Sequence, residues 1–286
     1  MGDQRPATGV RSFPIDGGRI EVFELPGGPG RPLLVLGGVE LGLRPLAGTD
    51  TVLMNRWLRR AERRRVVVVG RPIPDDPADA SLLLHPRAAA KAVARAVALA
   101  GLADRSLGVE AESGGGRISL WLALDHPELV ARLVLASVAA ETPTGSPMAE
   151  RLGRWIALAE ARDWGRLFAG FAQQMRPAGE SGAPDAFTAA ARLQPHPSTP
   201  ERFIAELRAT LDPSSFVTHR LREIRVPTLV LAGGRDQVVP ADVSQGVAEG
   251  IPGARFELDP ECGHTVRTAF RGYDELVEAF LAEGDP

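Results

Sequence analysis

The sequence predicts an α/β fold: a doubly wound, mostly parallel sheet of eight strands, interrupted by one all-helical insertion. Three observations carry this expectation. Continuous apolar runs, such as Pro32-Leu33-Leu34-Val35-Leu36 and Arg65-Val66-Val67-Val68-Val69, suit strands buried on both faces of a parallel sheet. Segments of helical periodicity separate those runs, the alternation expected of strand–helix–strand units. One long stretch, 141–219, carries helical segments and no strand signal.

The elements follow in order. Val10 to Ile15 and Arg19 to Leu25 alternate loosely and are joined by Asp16-Gly17-Gly18, which reads as a β-hairpin. Pro32 to Leu36 and Arg65 to Val69 are strands three and four, with a helical pattern over Asn55 to Arg64 between them. An Ala/Val-rich helix over Arg87 to Leu102 leads into a short fifth strand, Arg105 to Val109. A helix then runs towards Asp125, where Pro127 stops it and Leu129-Val130 leads into the sixth strand, Ala131 to Ala136. Val226 to Ala232 and Ala254 to Leu258 are strands seven and eight. Within the strand-free stretch, Ser146-Pro147 and Thr199-Pro200 are good helix starts. The expected organisation is a core of residues 1–140 and 220–286, with residues 141–219 inserted after the sixth strand.

Composition narrows the function classes. A chain of 286 residues with 44% hydrophobic content can bury a large core. Its net charge of −3 argues against a nucleic-acid partner, which needs a basic face. The basic run Arg59-Arg60-Ala61-Glu62-Arg63-Arg64-Arg65 reads as the solvated end of a helix. A single cysteine, Cys262, excludes an intrachain disulfide and a cysteine-rich zinc site. The N-terminal residues contain no apolar signal core and no stretch is long enough to span a bilayer, so the expectation is a soluble, cytoplasmic protein.

Ser113 is the most informative residue. It lies in Glu110-Ala111-Glu112-Ser113-Gly114-Gly115-Gly116, between an apolar strand and the helical Arg117-Ile118-Ser119-Leu120-Trp121-Leu122-Ala123. A serine on so sharp a turn is lifted clear of the sheet, and its neighbours two before and two after must be small; here they are Ala111 and Gly115. The turn aims the N–H of Gly114 and the positive end of the helix at the space where an oxyanion would develop.

This pattern resembles the nucleophile elbow of the α/β-hydrolase superfamily, with Ala111 in place of the usual first glycine. The run Asp125 to Val130 followed by Leu133-Val134-Leu135-Ala136-Ser137 also resembles that superfamily. The resemblance implies an acid after the seventh strand and a histidine after the eighth. Asp236, in Arg235-Asp236-Gln237, and His264, in Cys262-Gly263-His264-Thr265, stand at those places. Taken singly, Asp236 could be a helix N-cap and His264 a loop histidine. In the implied mechanism Ser113 attacks an acyl carbon, His264 takes and returns the proton, and Asp236 orients His264, with no metal or organic cofactor. The second oxyanion donor is implied at the N–H of Val39, in Gly37-Gly38-Val39, where the family often shows His-Gly-x. Gly70-Arg71-Pro72-Ile73-Pro74 departs from the family's common Arg-Gly-x-Gly pattern, which points to a divergent branch.

The insertion resembles the helical cap of that superfamily and implies a roof over an apolar pocket for a small acyl substrate. Trp164, Phe168, Phe171 and Met175 share one helical face; they are candidate substrate contacts, or residues that pack the cap together. Glu40 and Glu112 read as surface carboxylates near the mouth, and Cys262 as a small packed side chain. The same triad serves esters, lactones, thioesters, carbon–carbon cleavage and acyl transfer. A non-hydrolytic cyclase or lyase, or a ligand-binding protein on this fold, is the rival class.

Overall fold

The computed structural model describes residues 9–38, 51–103, 106–180 and 200–284. Strand β1 (Gly9–Ile15) pairs antiparallel with β2 (Gly18–Leu36) through a turn in which Gly17 has φ 75°. Then come α1 (Thr51–Ala61), β3 (Arg64–Val69), β4 (Ile73–Pro74), the single turn α2 (Ala80–Leu83) and α3 (Pro86–Leu99). Strand β5 (Leu107–Glu112), α4 (Gly114–Asp125) and β6 (Val130–Ala136) follow. After them come α5 (Pro147–Glu160), α6 (Trp164–Met175) and α7 (Pro200–Leu211). The chain ends with β7 (Thr228–Gly233), α8 (Ala241–Gly250), β8 (Arg255–Asp259), α9 (Val266–Ala269) and α10 (Tyr273–Ala282).

The eight strands form one sheet in the order β1-β2-β5-β6-β7-β8, with β3 and β4 paired to β2. From β2 through β5, β6, β7 and β8 every pairing is parallel. Two expected strands, Arg19 to Leu25 and Pro32 to Leu36, are one continuous strand. Between them the chain is pressed against the start of β3: a Cβ on Gly27 would lie 2.1 Å from the Arg64 carbonyl oxygen, and one on Gly28 2.7 Å from that of Arg63. Only glycine permits that approach, and the chain stays paired instead of looping away. The eighth strand is the two-residue β4, which sequence reading did not find.

Alternation along the strands sorts the core onto two faces. Leu34, Leu36, Val109, Leu133 and Leu135 pack with α3 and α4. Leu33, Val35, Val134, Leu229 and Leu231 pack with Trp57 of α1 and with Val277, Phe280 and Leu281 of α10. Helices therefore cover both faces, as a doubly wound sheet requires. Among the described residues, the segment between β6 and β7 contains helices and no strand. Helix α5 starts where Ser146 Oγ accepts the Ala149 N–H, and α6 where Asp163 accepts that of Arg166. A separate cluster joins Leu152, Trp155, Leu167, Phe203 and Leu207 of these helices to Val238 and Val239, which follow β7. Among the described residues no helix is long and apolar enough to cross a membrane.

The basic run is only partly a solvated helix end. Arg59 and Arg63 are exposed, but Arg60 and Arg64 are buried. Arg60 meets Glu110 at 2.7 Å, and Arg64 meets Glu278 at 3.1 Å. Arg60 lies on the inner face of α1 and Arg64 opens β3, while Arg59 and Arg63 face water. The carboxylates that neutralise them lie far away in sequence.

Candidate active site

Strand β5 ends at Glu112 and α4 begins at Gly114. Ser113, between them, has φ 52° and ψ −122°. A non-glycine residue there stores strain of about 1–3 kcal/mol and persists only because its surroundings hold it. Its N–H donates to the Ala136 carbonyl at 2.9 Å, and its carbonyl accepts the Gly116 N–H at 2.9 Å. The small neighbours are required by close approach: a Cβ on Gly115 would lie 2.3 Å from the Gly37 carbonyl oxygen, and one on Gly116 2.2 Å from the Val138 side chain.

The loops after β7 and β8 are zipped together. The Gly234 N–H donates to the Asp259 carbonyl at 2.8 Å, and the Arg235 N–H to the Cys262 carbonyl at 2.9 Å. A Cβ on Gly233 would fall 2.3 Å from the Gly263 carbonyl oxygen, so glycine allows the contact. This places Asp236 beside His264, although 28 residues separate them. Asp236 Oδ2 lies 2.8 Å from His264 Nδ1, and His264 Nε2 lies 3.0 Å from Ser113 Oγ. With Nδ1–H donating to Asp236, Nε2 is left as an acceptor for the Ser113 hydroxyl. Asp236 Oδ1 accepts the N–H groups of Val238 (2.7 Å) and Val239 (2.9 Å). Burial alone would push the Asp236 carboxyl up; His264 and these two amides hold it below its ordinary value.

The turn after β2 passes the nucleophile closely, since a Cβ on Gly38 would lie 3.4 Å from Ser113 Cβ. Arg71 braces it. Its Nη2 donates to the carbonyls of Gly37 (3.0 Å) and Gly38 (2.5 Å), and its Nε donates to Glu206 Oε1 of α7 at 2.8 Å. Val39 and Glu40 lie outside the described residues. Gly114 lines the same cavity as Ser113.

Glu112 is not a free surface carboxylate. It accepts the Arg267 backbone N–H at 3.2 Å, and the Arg267 side chain reaches Glu110 Oε1 at 3.2 Å and donates to the Leu36 carbonyl at 3.0 Å. The Tyr273 hydroxyl donates to Glu110 at 3.0 Å. Burial would raise the Glu110 carboxyl, but Arg60 and Arg267 hold it down. Arg267 follows His264 by three residues, so this buried network ties the histidine loop to the strand that carries Ser113. Cys262 is buried, and burial, with the charge of Asp259, pushes its thiol up to about 12.

The cavity beside Ser113 has apolar walls of Met148, Leu152, Trp155, Leu207, Val238 and Val239, together with Arg117 and Arg151. Trp164, Phe168 and Phe171 are not among its lining residues. Phe171 packs on Trp155 of α5 at 4.9 Å between ring centroids and Trp164 on Phe203 of α7 at 6.2 Å, while Trp164 stacks on Phe168 within α6 at 6.0 Å. Trp164 and Phe171 thus pack against neighbouring helices, while the α5 residues Met148, Leu152 and Trp155 line the cavity. Arg71, Arg117, Arg151 and Arg267 were missed at the sequence level. Only Arg117 carried a signal, as a lone charge at the start of an apolar helix, four residues after Ser113.

Comparison with known proteins agrees with this architecture. A family model described as alpha/beta hydrolase fold matches residues 87–266, more than half of the chain. A 2-hydroxymuconate semialdehyde hydrolase of Pseudomonas putida is 31% identical over 175 residues, which span 60% of this chain and 61% of that relative. The chain thus matches less than two thirds of that relative's length. A pimeloyl-[acyl-carrier protein] methyl ester esterase of Nitrosomonas europaea is 27% identical over 196 residues, 63% of this chain and 73% of that one. The crystal structure of a hydrolase from Pseudomonas aeruginosa superposes with a TM-score of 0.76 at 22% identity, covering 96% of this chain and 99% of that one. The chain belongs to the α/β-hydrolase fold family.

Proposed function

We propose that the protein is a serine hydrolase that cleaves a carboxylic ester or related acyl compound through an acyl-enzyme. The observation that carries this is the unbroken chain from Ser113 Oγ to His264 to Asp236, at 3.0 and 2.8 Å, with Ser113 raised on a strained turn. Ser113 attacks the acyl carbon while His264 Nε2 accepts its proton. Asp236 fixes the ring orientation and offsets the positive charge that forms on it. The N–H of Gly114 and, by the sequence reading, that of Val39 receive the oxyanion. His264 then returns the proton to the leaving group and activates the water that releases the acyl chain. Residues 141–219 act as the cap, and Met148, Leu152 and Trp155 wall the acyl pocket.

A second reading, cleavage of a carbon–carbon bond, is favoured by the relative named 2-hydroxymuconate semialdehyde hydrolase. A fluorophosphonate probe tests what both readings share: wild-type protein should be labelled on Ser113 and Ser113→Ala should not. Equal labelling of the two would reject Ser113 as the nucleophile. A panel of p-nitrophenyl esters of increasing length, run beside lactones, thioesters and a dienol diketone, then separates the bond classes.

A further inference from the structure

Arg117 and Arg151 line the cavity of Ser113 in an unusual electrostatic setting. Arg117 is buried, at 4% exposure, and its guanidinium is held by neutral groups alone. Nε donates to the Ala139 carbonyl (3.3 Å), Nη1 to the Thr210 carbonyl (2.6 Å) and Ser215 Oγ (3.1 Å), and Nη2 to Thr142 Oγ1 (2.8 Å). Among the described residues no carboxylate lies within ion-pair distance of it; Glu141 acts only from farther away. Burial pulls its pKa down to about 10, so it is still a cation at neutral pH.

Arg151, on α5, donates through Nη1 to the Val238 carbonyl at 3.1 Å, while its buried Nε has no hydrogen-bond partner among the described residues. It too forms no ion pair among the described residues. The carboxylate that acts on it, Asp236, is already engaged by His264 and two amides. Guanidinium groups taken out of water are costly unless an anion compensates them, and a guanidinium fork matches a carboxylate in shape as well as charge.

We propose that the substrate is anionic: an acyl compound bearing a free carboxylate, which the cavity-lining Arg151 binds and Arg117 attracts by its charge. This rests on the serine-hydrolase reading. Because Ser113, the two arginines and the apolar side chains line one cavity, the substrate joins its carboxylate to the scissile carbonyl through a hydrocarbon spacer. A neutral acyl compound would leave both charges uncompensated, so the cavity discriminates against it.

The test uses competitors that need no turnover. Glutarate and glutaramide have the same length and differ in charge. In wild-type protein glutarate should protect Ser113 from the fluorophosphonate probe at a concentration about tenfold below that of glutaramide. Arg151→Gln should remove that preference, read as the ratio of the two protecting concentrations within the variant, and Arg151→Lys should keep part of it. Equal protection by the two competitors, or a preference that survives in Arg151→Gln, would overturn the proposal. If Ser113 is not labelled at all, the hydrolase reading fails by itself. Stabilisation of wild-type protein against heat by glutarate over glutaramide, lost in Arg151→Gln, then still decides the anion site. Monomethyl glutarate should likewise be hydrolysed with a higher kcat/KM than methyl pentanoate.

Discussion

The residues just before Ser113 and those just after it both bury arginines, in opposite ways. Before it, Glu110 and Glu112 meet Arg60 and Arg267, every charge has a counter-charge within 3.7 Å, and Tyr273 adds a hydrogen bond. After it, Arg117 and Arg151 rest on carbonyls and hydroxyls with no carboxylate in reach among the described residues. The first arrangement is closed: it binds α1, β5, the histidine loop and α10 into one unit, and removing one member strands the others. The second is open, since its charge is incompletely offset until a ligand arrives. Burial of an arginine thus has two meanings in one molecule, and only its partners tell them apart.

The largest expected effect falls on the nucleophile between the two regions. Ser113→Gly should abolish turnover and labelling, a loss of at least about ten-thousand-fold. It should also raise the melting temperature, because glycine takes a φ of 52° without strain. A lowered melting temperature would mean the turn is not strained. Asp236→Asn should lose turnover on a similar scale, about ten-thousand-fold as in a related triad, and near-wild-type turnover would place the orienting acid elsewhere.

The closed and open regions should then part company in stability. Arg267→Met leaves Glu110 and Glu112 short of a cation and should cost about 3–5 kcal/mol in urea unfolding. Arg151→Gln should cost less than about 1 kcal/mol, since it removes a half-buried charge with no ionic partner. Similar losses for the two variants would erase the distinction.

Smaller still is the effect at Arg71. A peptide bond is planar, so holding the Gly38 carbonyl sets the plane of the amide that the sequence assigns to the oxyanion. Removing an oxyanion donor outright costs a hundredfold or more, and loosening its brace should cost less, about tenfold. Arg71→Met should therefore lower kcat with KM nearly unchanged, and Glu206→Gln should do the same more weakly. A raised KM with unchanged kcat would assign Arg71 to substrate binding.

The smallest effect concerns Cys262. Its thiol, pushed up to about 12, should resist iodoacetamide at pH 8 in the native protein and react once the chain is unfolded. The sign for stability follows: an unfolded thiol loses its proton near pH 8.5 and the folded one near 12, so stability should fall as pH rises between them. Rapid alkylation of the native protein would show the loop to be open.

Much of this was legible in the chain itself. Apolar runs, glycines and proline stops are local signals, so they determined the parallel sheet, the hairpin turn at Gly17 and the strand–Ser–helix turn. The order of Ser113, Asp236 and His264 after their strands was readable because each sits at a strand end. Tertiary structure decided what depends on distant partners. Whether Arg60 and Glu112 face water or each other's network cannot be read from their neighbours, because the compensating charge lies far along the chain. Periodicity showed that Trp164, Phe168 and Phe171 share a face, but not whether that face meets the cavity or Trp155 and Phe203. Arg19 to Leu25 and Pro32 to Leu36 read as two strands and are one, because the glycines at 27 and 28 lie against carbonyls at the start of β3 and just before it. Local sequence sets conformation; burial, pairing of charge and the facing of a cavity belong to contacts between segments, and only the folded chain brings those segments together.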